Sequence, residues 1–268
     1  MSIFKKTIKH IIPYKTYSGA RDMFRYILSF RYIGSKYVCP FCKGRFSSFL
    51  SGGFDFPILK EKQVVGGGFR LNSTCPRCFS GDRERLIYIY IKKNKQYLFS
   101  KEIKLLHVAP EINLGKALKS YPNIKYSSAD LNSPLVEVRM DITKINKPNE
   151  TYDVIICNHV LEHIQDDIKA MYELFRVLKK GGFAILQVPV SFCIDSTIED
   201  ETITEPIARE AAFGQKDHVR IYGKDYVQRL ESVGFVVTIY DYNEDLEQNE
   251  ILKYGLLKDE KIFLCIKE

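Results

Sequence analysis

The spacing of hydrophobic and polar residues changes near residue 102. Beyond that point, apolar runs alternate with stretches of helical spacing, which is typical of a parallel sheet with helices on both faces. The runs predict strands at 104–108, 124–128, 136–140, 152–157, 183–188, 235–240 and 261–266. The run YDVIIC at 152–157 is nearly continuous, as expected for a strand buried on both faces. We therefore predict a doubly wound α/β domain at 102–268, with a seven-stranded, mostly parallel sheet.

Helical spacing occurs between several of these strands. It predicts helices at 115–120, 165–178 and 224–233. The helix at 165–178 is amphipathic and is followed by Gly181-Gly182, a common signal for a helix end. No obvious helix separates the last two predicted strands, which predicts a hairpin with an antiparallel strand at the end of the sheet.

The first hundred residues have another organisation: a basic segment at 1–36, a Gly- and Cys-rich module at 37–82, and a linker at 83–101 containing a predicted helix. Two helices are predicted in the basic segment, with apolar residues Phe4, Ile8, Ile11, Ile12, Tyr26, Ile27 and Phe30. They could wrap the core, or lie at a membrane interface with Lys and Arg facing anionic lipid. The module has little periodic pattern, so we expect something other than a hydrophobic core to hold it together.

Four cysteines offer that alternative. Cys39-Pro-Phe-Cys42 and Cys75-Pro-Arg-Cys78 form two C-x2-C pairs separated by 32 residues. Two such pairs can surround Zn²⁺ tetrahedrally, and ligation then supplies folding free energy. A redox pair or an iron–sulfur site also uses cysteines, but two pairs in Gly-rich loops lack the strand–helix junction usual for a redox C-x-x-C. We predict a structural zinc site.

The other three cysteines, Cys157, Cys193 and Cys265, are expected to be buried apolar residues. The odd total of seven is not typical of a secreted disulfide framework. No apolar run reaches the roughly 18 residues of a membrane span, and lysines interrupt the start of the chain. We therefore expect a cytoplasmic protein, with peripheral contact at the inner face of the membrane as an option.

Charge is distributed unevenly along the chain. The net charge is +7, yet residues 1–100 hold 19 Lys/Arg against 5 Asp/Glu, and the remaining 168 hold 21 against 28. A basic module on an acidic domain predicts contact with an anion, such as a phosphate, a membrane surface or nucleic acid. Solubility alone would also explain a modest excess.

Polar residues follow the predicted strands where doubly wound sheets bind ligands, beyond the carboxyl ends. Asp130 is placed to accept both ribose hydroxyls of an adenosine, and Asp141 or the backbone of Ile142 to meet the adenine amino group. Taken singly, each could be a helix cap or a turn residue. Their succession predicts a cofactor site made by His107, Ala109, Pro110, Glu111, Asp130, Leu131, Asp141, Ile142, Asn158 and His159.

Five segments resemble the successive motifs of class I S-adenosylmethionine (SAM)-dependent methyltransferases: LLHVAPE, SSADL, YDVIICNHVLEHI, ELFRVLKKGGFAILQVP and FGQKDHVRIYGKDY. More narrowly, residues 37–268 are similar to a bacterial group with an N-terminal CPxC…CPxC module, often associated with surface-polysaccharide biosynthesis. The resemblance implies a Rossmann-like methyltransferase fold with SAM as cofactor. It also implies that 109–111 form the first cofactor loop, that Asp130 contacts ribose, Asp141 adenine, and that Asn158 lies near the methionine part.

The first loop departs from the superfamily pattern. It lacks the usual Gly-x-Gly and has Ala109-Pro110, with Gly115 farther on, a change that the bacterial group shares. The pyrophosphate of a dinucleotide needs close approach to a Gly-rich turn, whereas SAM carries no phosphate. The departure therefore argues against a dinucleotide cofactor.

The stretch at 191–222 is long and irregular, and is expected to cover the site because it follows the fifth strand. A hydroxyl acceptor needs its proton removed, for which His218, oriented by Asp217, is the first candidate and His159 the second. The Asp-His pair could equally stabilise the loop, and His163 is expected to help fix a helix start. Arg209 and Arg220 would hold an anionic substrate group. The predicted substrate-binding residues are Arg209, Gln215, Asp217, Arg220 and Tyr222.

Together these features favour a SAM-dependent methyltransferase acting on an oxygen of a sugar, or of a phosphate-bearing precursor of a surface polysaccharide. An RNA methyltransferase that docks RNA through the basic module is an alternative. Enzymes that methylate the amino group of a base carry an Asn/Asp-Pro-Pro-Tyr-type motif after the fourth strand. Residues 158–161 are NHVL instead, which argues against this kind of methylation. A third alternative is a non-catalytic binding module on a relic fold, which the retained Asp130, Asp141 and Asn158 disfavour.

Overall fold

The computed structural model describes residues 14–268. The first part of this range contains two short antiparallel hairpins, one of β1 with β2 and one of β3 with β4. Its elements are α1 (Tyr14–Ser29), β1 (Ile33–Val38), β2 (Arg45–Phe46), β3 (Leu50–Gly52), α2 (Pro57–Glu61) and β4 (Arg70–Thr74). The apolar cluster of this module is small, and two of its five buried members are cysteines. This small cluster agrees with the expectation that something other than a hydrophobic core holds the module together.

The rest of the chain alternates strands with helices. The helices are α3 (Asp82–Asn94), α4 (Ile112–Lys119), α5 (Asp167–Val177), α6 (Pro206–Phe213), α7 (Tyr226–Ser232), α8 (Tyr242–Asp245) and α9 (Gln248–Tyr254). The strands are β5 (Ile103–Val108), β6 (Ile124–Asp130), β7 (Val138–Arg139), β8 (Tyr152–Asn158), β9 (Leu178–Gln187), β10 (Ile198–Glu199), β11 (Arg220–Ile221), β12 (Val236–Tyr240) and β13 (Ile262–Ile266).

Seven strands form one sheet in the order β12-β13-β9-β8-β5-β6-β7. Strand β13 runs antiparallel to both of its neighbours, and the pairs from β9 to β7 are parallel. The predicted doubly wound, seven-stranded and mostly parallel sheet is confirmed, including an antiparallel strand near its end. This is the Rossmann-like topology that the resemblance implies.

Helices cover both faces of the sheet. On one face, Met171 and Leu174 of α5 pack with Leu230 of α7. On the other face, the buried side chains of α3 and α4 join those of α9, for example Ile87, Leu118 and Ile251. Helix α3 was predicted as part of a linker, but it forms part of the hydrophobic core.

The predicted hairpin between the last two strands is wrong in its connection. Helices α8 and α9 lie between β12 and β13, and the side chain of Asp241 caps α8 by accepting from the amide of Asn243 (3.0 Å). Helices of four and seven residues are too short to produce a clear amphipathic pattern, which explains why the sequence did not predict them.

The boundary between α5 and β9 also differs from the prediction. Helix α5 ends at Val177 and β9 begins at Leu178, five residues before the predicted strand. Gly181 lies inside the strand with a φ of 72°, a left-handed conformation that glycine adopts readily. The glycine pair therefore marks an irregularity in the strand and not a helix end.

Helix α1 exposes the apolar residues that sequence patterning placed in a second helix. Tyr26, Ile27 and Phe30 are 49%, 57% and 51% exposed, so they do not wrap the core. The first predicted helix, with Phe4, lies outside the described residues. Among the described helices, none combines the length and the hydropathy required to cross a bilayer.

Candidate active site and metal centre

The four cysteines of the two C-x2-C pairs lie together. Cys39 Sγ is 3.5 Å from Cys78 Sγ, and Cys42 Sγ is 3.7 Å from Cys75 Sγ. A disulfide bond would require about 2.05 Å. Sulfur atoms bound tetrahedrally to Zn²⁺, each at about 2.3 Å, are about 3.8 Å apart. The observed spacing fits four ligands around one zinc ion.

The two cysteine turns have the same backbone geometry. In the first, the amide of Cys39 donates to the carbonyl of Gly44 (3.0 Å), and in the second, the amide of Cys75 donates to the carbonyl of Ser80 (2.9 Å). The fifth residue of each turn is left-handed, with φ of 57° and 60°. Each turn therefore presents its two thiols in the same way, as a site with two equivalent halves requires.

The remaining cysteines differ in burial. Cys157 and Cys265 are fully buried within the core, as predicted. Cys193 is exposed, so its prediction as a buried residue is wrong. It lies in the irregular stretch after β9, where no second layer covers it.

Arg85 ties the cysteine module to the end of the chain. Its fully buried guanidinium donates to the carbonyls of Ser73 (2.9 Å), Tyr254 (2.8 Å), Gly255 (2.9 Å) and Ser80. Sequence reasoning missed this residue, because an arginine in an amphipathic helix is normally solvent-exposed. We found no sequence signal that separates Arg85 from the exposed basic residues of α3.

The module also borders the carboxyl edge of the sheet. The backbones of Val65 and Val190 exchange two hydrogen bonds (2.8 and 3.2 Å). Gly66 has a φ of 82°, and a Cβ there would lie 3.0 Å from the carboxylate of Glu260 and 3.4 Å from the ring of His159. The glycine loop of the module thus forms one wall of the site.

Strand register places the predicted cofactor residues side by side. Val108 of β5 pairs with Ala129 of β6 and with Cys157 of β8. The next residue along each strand therefore lies at the same level of the sheet edge. These next residues are Ala109, Asp130 and Asn158.

The predicted first cofactor loop contains a residue in the left-handed region. Ala109 has a φ of 45°, a value that glycine adopts without strain and that costs other residues on the order of 1–2 kcal/mol. Its amide donates to the carbonyl of Ala129 (2.7 Å), which holds the turn against β6. Ala109 therefore adopts a conformation that glycine would adopt at lower cost.

Both ring nitrogens of His107 have partners inside the protein. It is completely buried, with Nδ1 3.0 Å from the hydroxyl of Tyr126 and Nε2 2.8 Å from Glu111 Oε2. The other oxygen of Glu111 accepts from Asn158 Nδ2 (3.0 Å). The prediction of His107 as a cofactor ligand is therefore corrected: both of its nitrogens are engaged, and it positions Glu111.

Glu111 and Asn158 present acceptors at the sheet edge. Burial raises the pKa of Glu111, but hydrogen bonds from His107 and Asn158 outweigh burial and hold the pKa below its ordinary value. Asn158 is buried, and its Oδ1 has no partner among the described residues. A buried carbonyl without a partner costs about 1–3 kcal/mol, so this atom indicates a donor supplied by a ligand.

The side chains of Asp130 and Asp141 both accept hydrogen bonds from residues that follow them in the chain. Asp130 Oδ1 accepts from the amides of Asn132 and Ser133, both at 2.7 Å. Asp141 Oδ1 accepts from the amide and hydroxyl of Thr143, bonds that keep the pKa of Asp141 below its ordinary value. In both residues these bonds use only one carboxylate oxygen.

The apolar neighbours of these aspartates face different ways. Leu131 is 45% exposed beside Asp130. Ile142 is buried in the core, so only its backbone can meet an adenine. The loop residue Pro110 is half-buried next to Ala109.

Histidines converge on a buried carboxylate beyond β8. Glu162 Oε1 lies 3.2 Å from His159 Nδ1 and 4.0 Å from Nε2 of both His163 and His218. Burial raises the pKa of Glu162 to about 8, and burial together with the neighbouring His163 lowers the pKa of His218 to about 4. Burial also lowers the pKa of His159 well below its ordinary value. Near neutral pH, His159 and His218 are therefore neutral.

The pKa of His218 and the position of Asp217 alter the catalytic roles predicted for these two residues. A general base works best when its pKa lies near the operating pH, so His218 with a pKa of about 4 is a weak proton acceptor. Asp217 does not orient it, because the Asp217 carboxylate lies 3.4 Å from His163 Nδ1 and is largely exposed. The predicted Asp217–His218 pair is therefore corrected to Asp217–His163.

Arg220 and Tyr222 serve the fold and not the substrate. The buried guanidinium of Arg220 donates to Glu199 (2.7 Å), and to the carbonyls of Leu161 (3.2 Å) and two later residues of the same turn. Tyr222 is fully buried and donates to Asp167 (2.7 Å). Their donors are already used inside the protein, so their prediction as substrate ligands does not agree with the structure.

The other predicted substrate residues lie near the cluster. Arg209 is half-buried in α6 and donates to the carbonyl of Ile203 (3.0 Å). Gln215 is half-buried, and its carbonyl accepts from the amide of His218 (3.4 Å). Both belong to the segment that carries His218, and their contact with a substrate remains a prediction.

Arg83 is a functional candidate that sequence reasoning missed. It lies in the first turn of α3, is half-buried, and its positive charge acts on the pKa values of His159, Glu162 and Glu260. Within residues 14–268 its guanidinium makes no hydrogen bond or ion pair. Position 83 follows the second cysteine pair by five residues, but that spacing alone carried no signal.

Residues 110–239 match the family model of a methyltransferase domain. The match spans β6 and β8, and with them Asp130, Asp141 and Asn158. The chain therefore carries a methyltransferase domain. Among curated proteins, no sequence matches it.

Several solved structures are similar to the chain. They include a SAM-dependent methyltransferase from Archaeoglobus fulgidus (12% identity, 80% of this chain and 100% of that chain covered, TM-score 0.45). The YcgJ protein from Bacillus subtilis is another (16% identity, 54% and 70% covered, TM-score 0.38).

Proposed function

We propose that this methyltransferase uses SAM to methylate an oxygen of a sugar, or of a phosphate-bearing precursor in bacterial surface-polysaccharide biosynthesis. The observation that carries the cofactor assignment is the row of Ala109, Asp130 and Asn158 at one level of the sheet edge. SAM supplies an electrophilic methyl group when bound. Positioning of donor and acceptor accounts for much of the rate of such a displacement.

The residues present fit SAM. The buried Asn158 Oδ1 without a partner and the adjacent Glu111 carboxylate would accept from the ammonium group of the methionine part. Asp130 would accept from the ribose hydroxyls, beside the exposed Leu131, and Asp141 or the backbone of Ile142 would face the adenine.

The acceptor side supports an anionic or hydroxyl-rich substrate. Arg83 brings a guanidinium without a carboxylate partner toward the cluster around Glu162. A guanidinium binds phosphate or carboxylate through two parallel hydrogen bonds. Arg83 therefore takes the role that sequence reasoning gave to Arg220.

Labelled methyl transfer tests this proposal. The full chain is incubated with methyl-labelled SAM and bacterial extract, which is then separated into glycan, lipid-linked, RNA and protein pools. We expect label in the glycan or lipid-linked pool, because the acceptor side favours an anionic hydroxyl compound. Label confined to RNA would support the alternative of an RNA methyltransferase. Absence of label, together with absence of S-adenosylhomocysteine binding, would support the relic fold.

Replacement of Asn158 tests the cofactor assignment separately. Asn158→Ala removes an acceptor to the ligand and a donor to Glu111, so we expect affinity for S-adenosylhomocysteine to fall by about 10- to 100-fold, measured by calorimetry. Asn94→Ala is the matched control, since Asn94 is exposed and bonds to Tyr240 (3.1 Å) of β12, which lies three strands away from β8 in the sheet. Equal affinity of the two variants would contradict the assignment.

A peripheral contact with anionic membrane is part of the proposal. The exposed apolar residues of α1, such as Phe24 (61%) and Ile27 (57%), support it, as does the excess of Lys and Arg in residues 1–100. Apolar side chains with basic neighbours suit the headgroup region of an anionic bilayer. Salt-sensitive retention on anionic vesicles, and weaker retention on RNA, is the expected behaviour.

A further inference from the structure

Three of the five histidines of the chain meet at one carboxylate. Single ligand atoms of Glu162, His163 and His218 all lie within 4.8 Å of one another. His159 Nδ1 lies 3.2 Å from the same carboxylate. Convergence of imidazoles on a carboxylate is a common composition for a transition-metal site.

The backbone around this cluster is held firmly. Residues Leu161–His163 form a 3-10 turn, and the amide of Val219 donates to the carbonyl of Glu162 (2.9 Å). The buried guanidinium of Arg220 donates to the carbonyl of Leu161 (3.2 Å). The turn carrying Glu162 and the segment carrying His218 are therefore fixed relative to each other before any ligand binds.

One of the imidazoles is oriented as metal ligands usually are. His163 Nδ1 lies 3.2 Å from the carbonyl oxygen of Asp217. When one ring nitrogen donates its hydrogen to a carbonyl, the other nitrogen keeps a free lone pair. In His163 this other nitrogen is Nε2, which, like His218 Nε2, lies 4.0 Å from Glu162 Oε1.

Buried polar atoms at the centre of the cluster have no partner. Among the described residues, Glu162 Oε2 and His218 Nε2 are buried and unbonded. Glu162 and His218 are only 1% and 3% exposed, so water does not readily compensate them. Leaving such atoms unpaired is costly, and a bound cation that accepts their lone pairs would remove the cost.

We infer that Glu162, His163 and His218 bind a divalent transition-metal ion, with His159 available as a further ligand. Imidazole with carboxylate suits Zn²⁺, Fe²⁺, Co²⁺ or Ni²⁺. Bonds of about 2.0–2.2 Å require the side chains to move toward the ion by roughly 1 Å. The partly exposed ring of His163 (31%) leaves a route for the ion to enter.

Three protein ligands leave coordination positions open. The cluster begins at His159, directly after Asn158 at the tip of β8, on the side where the acceptor is expected. A hydroxyl bound to such an ion has a lowered pKa, so its proton could be lost without a strong base beside it. This role in catalysis rests on the proposed function, whereas metal binding itself does not.

Cobalt titration of the full, zinc-loaded chain tests the inference. We expect one further Co²⁺ to bind per chain by equilibrium dialysis, with weak visible absorption and without a thiolate-to-cobalt charge-transfer band. The expected affinity of Glu162→Gln and of His218→Ala is at least about tenfold lower, since each loses a ligand. Glu201→Gln is the matched control, since Glu201 is exposed, and it should bind Co²⁺ like the unaltered chain.

Two further measurements show whether the cluster variants are folded. Far-UV circular dichroism and S-adenosylhomocysteine affinity should be unchanged in both cluster variants, which shows that they are folded. Lack of saturable binding beyond the cysteine site would overturn the inference, as would equal Co²⁺ affinity in folded Glu162→Gln and the unaltered chain. Metal binding with no label in any acceptor pool would leave the site established and refute only the proposed function.

Discussion

Cys75→Ser is expected to abolish zinc binding and to unfold residues 33–81. The cluster around the cysteines contains few buried residues, and Cys75 itself is one of them. In zinc-finger peptides, structural zinc supplies about 10–16 kcal/mol of apparent binding free energy, much of which is folding free energy. Metal analysis by mass spectrometry and limited proteolysis of the module measure the two effects.

Cys193→Ser is the matched control. It makes the same change at an exposed cysteine outside the cluster. We expect it to retain zinc, and we expect a strong chelator to reproduce the effect of Cys75→Ser on the unaltered chain. A Cys75→Ser chain that resists proteolysis as well as Cys193→Ser does would show that the cysteines do not hold the module by metal ligation.

Arg85→Met is expected to lower the free energy of unfolding by about 4 kcal/mol or more. Methionine can fill most of the volume, but it removes the guanidinium donors from four carbonyls, and a buried carbonyl that loses its donor costs about 1–3 kcal/mol. The carbonyl of Ser80 keeps a second donor, the amide of Cys75 (2.9 Å). The guanidinium also lies 4.7 Å from the ring centre of Phe49, a cation–π contact that methionine cannot replace. Urea unfolding followed by circular dichroism measures the change.

Arg31→Met provides the comparison for Arg85. Arg31 is exposed, so its replacement should change stability by less than about 0.5 kcal/mol. Arg85→Lys should be intermediate, because an ammonium keeps the charge but cannot reach four carbonyls at once. If Arg85→Met and Arg31→Met unfolded at the same urea concentration, the arginine would not join the module to α9.

The central sheet was predictable from sequence because its strands are buried on both faces. A strand such as β8 then appears as a continuous apolar run, and the polar residue that ends it, Asn158, marks the binding edge. The cysteine cluster was predictable for a comparable reason, since C-x2-C spacing directly reflects a turn that presents two thiols. In both cases a local pattern encodes the relevant geometry.

Other parts of the site depend on contacts between distant segments. Arg83 and Arg85 differ by two positions in α3, yet the charge of Arg83 acts on His159 and Glu162, whereas Arg85 lies inside the molecule. Arg220 looked available for an anion, but its partners include carbonyls 55 to 59 residues away in sequence. Local sequence does not predict which partners a long side chain contacts when those partners lie on distant segments of the chain.

The position of α3 has a practical consequence for dissecting the protein. Its buried side chains cover one face of the parallel sheet together with α4 and α9. A fragment starting at residue 102 would expose that face to water and lose a layer of its core. Residues 102–268 should therefore aggregate when produced alone. Any transfer of the Gly- and Cys-rich module to another protein would have to include α3.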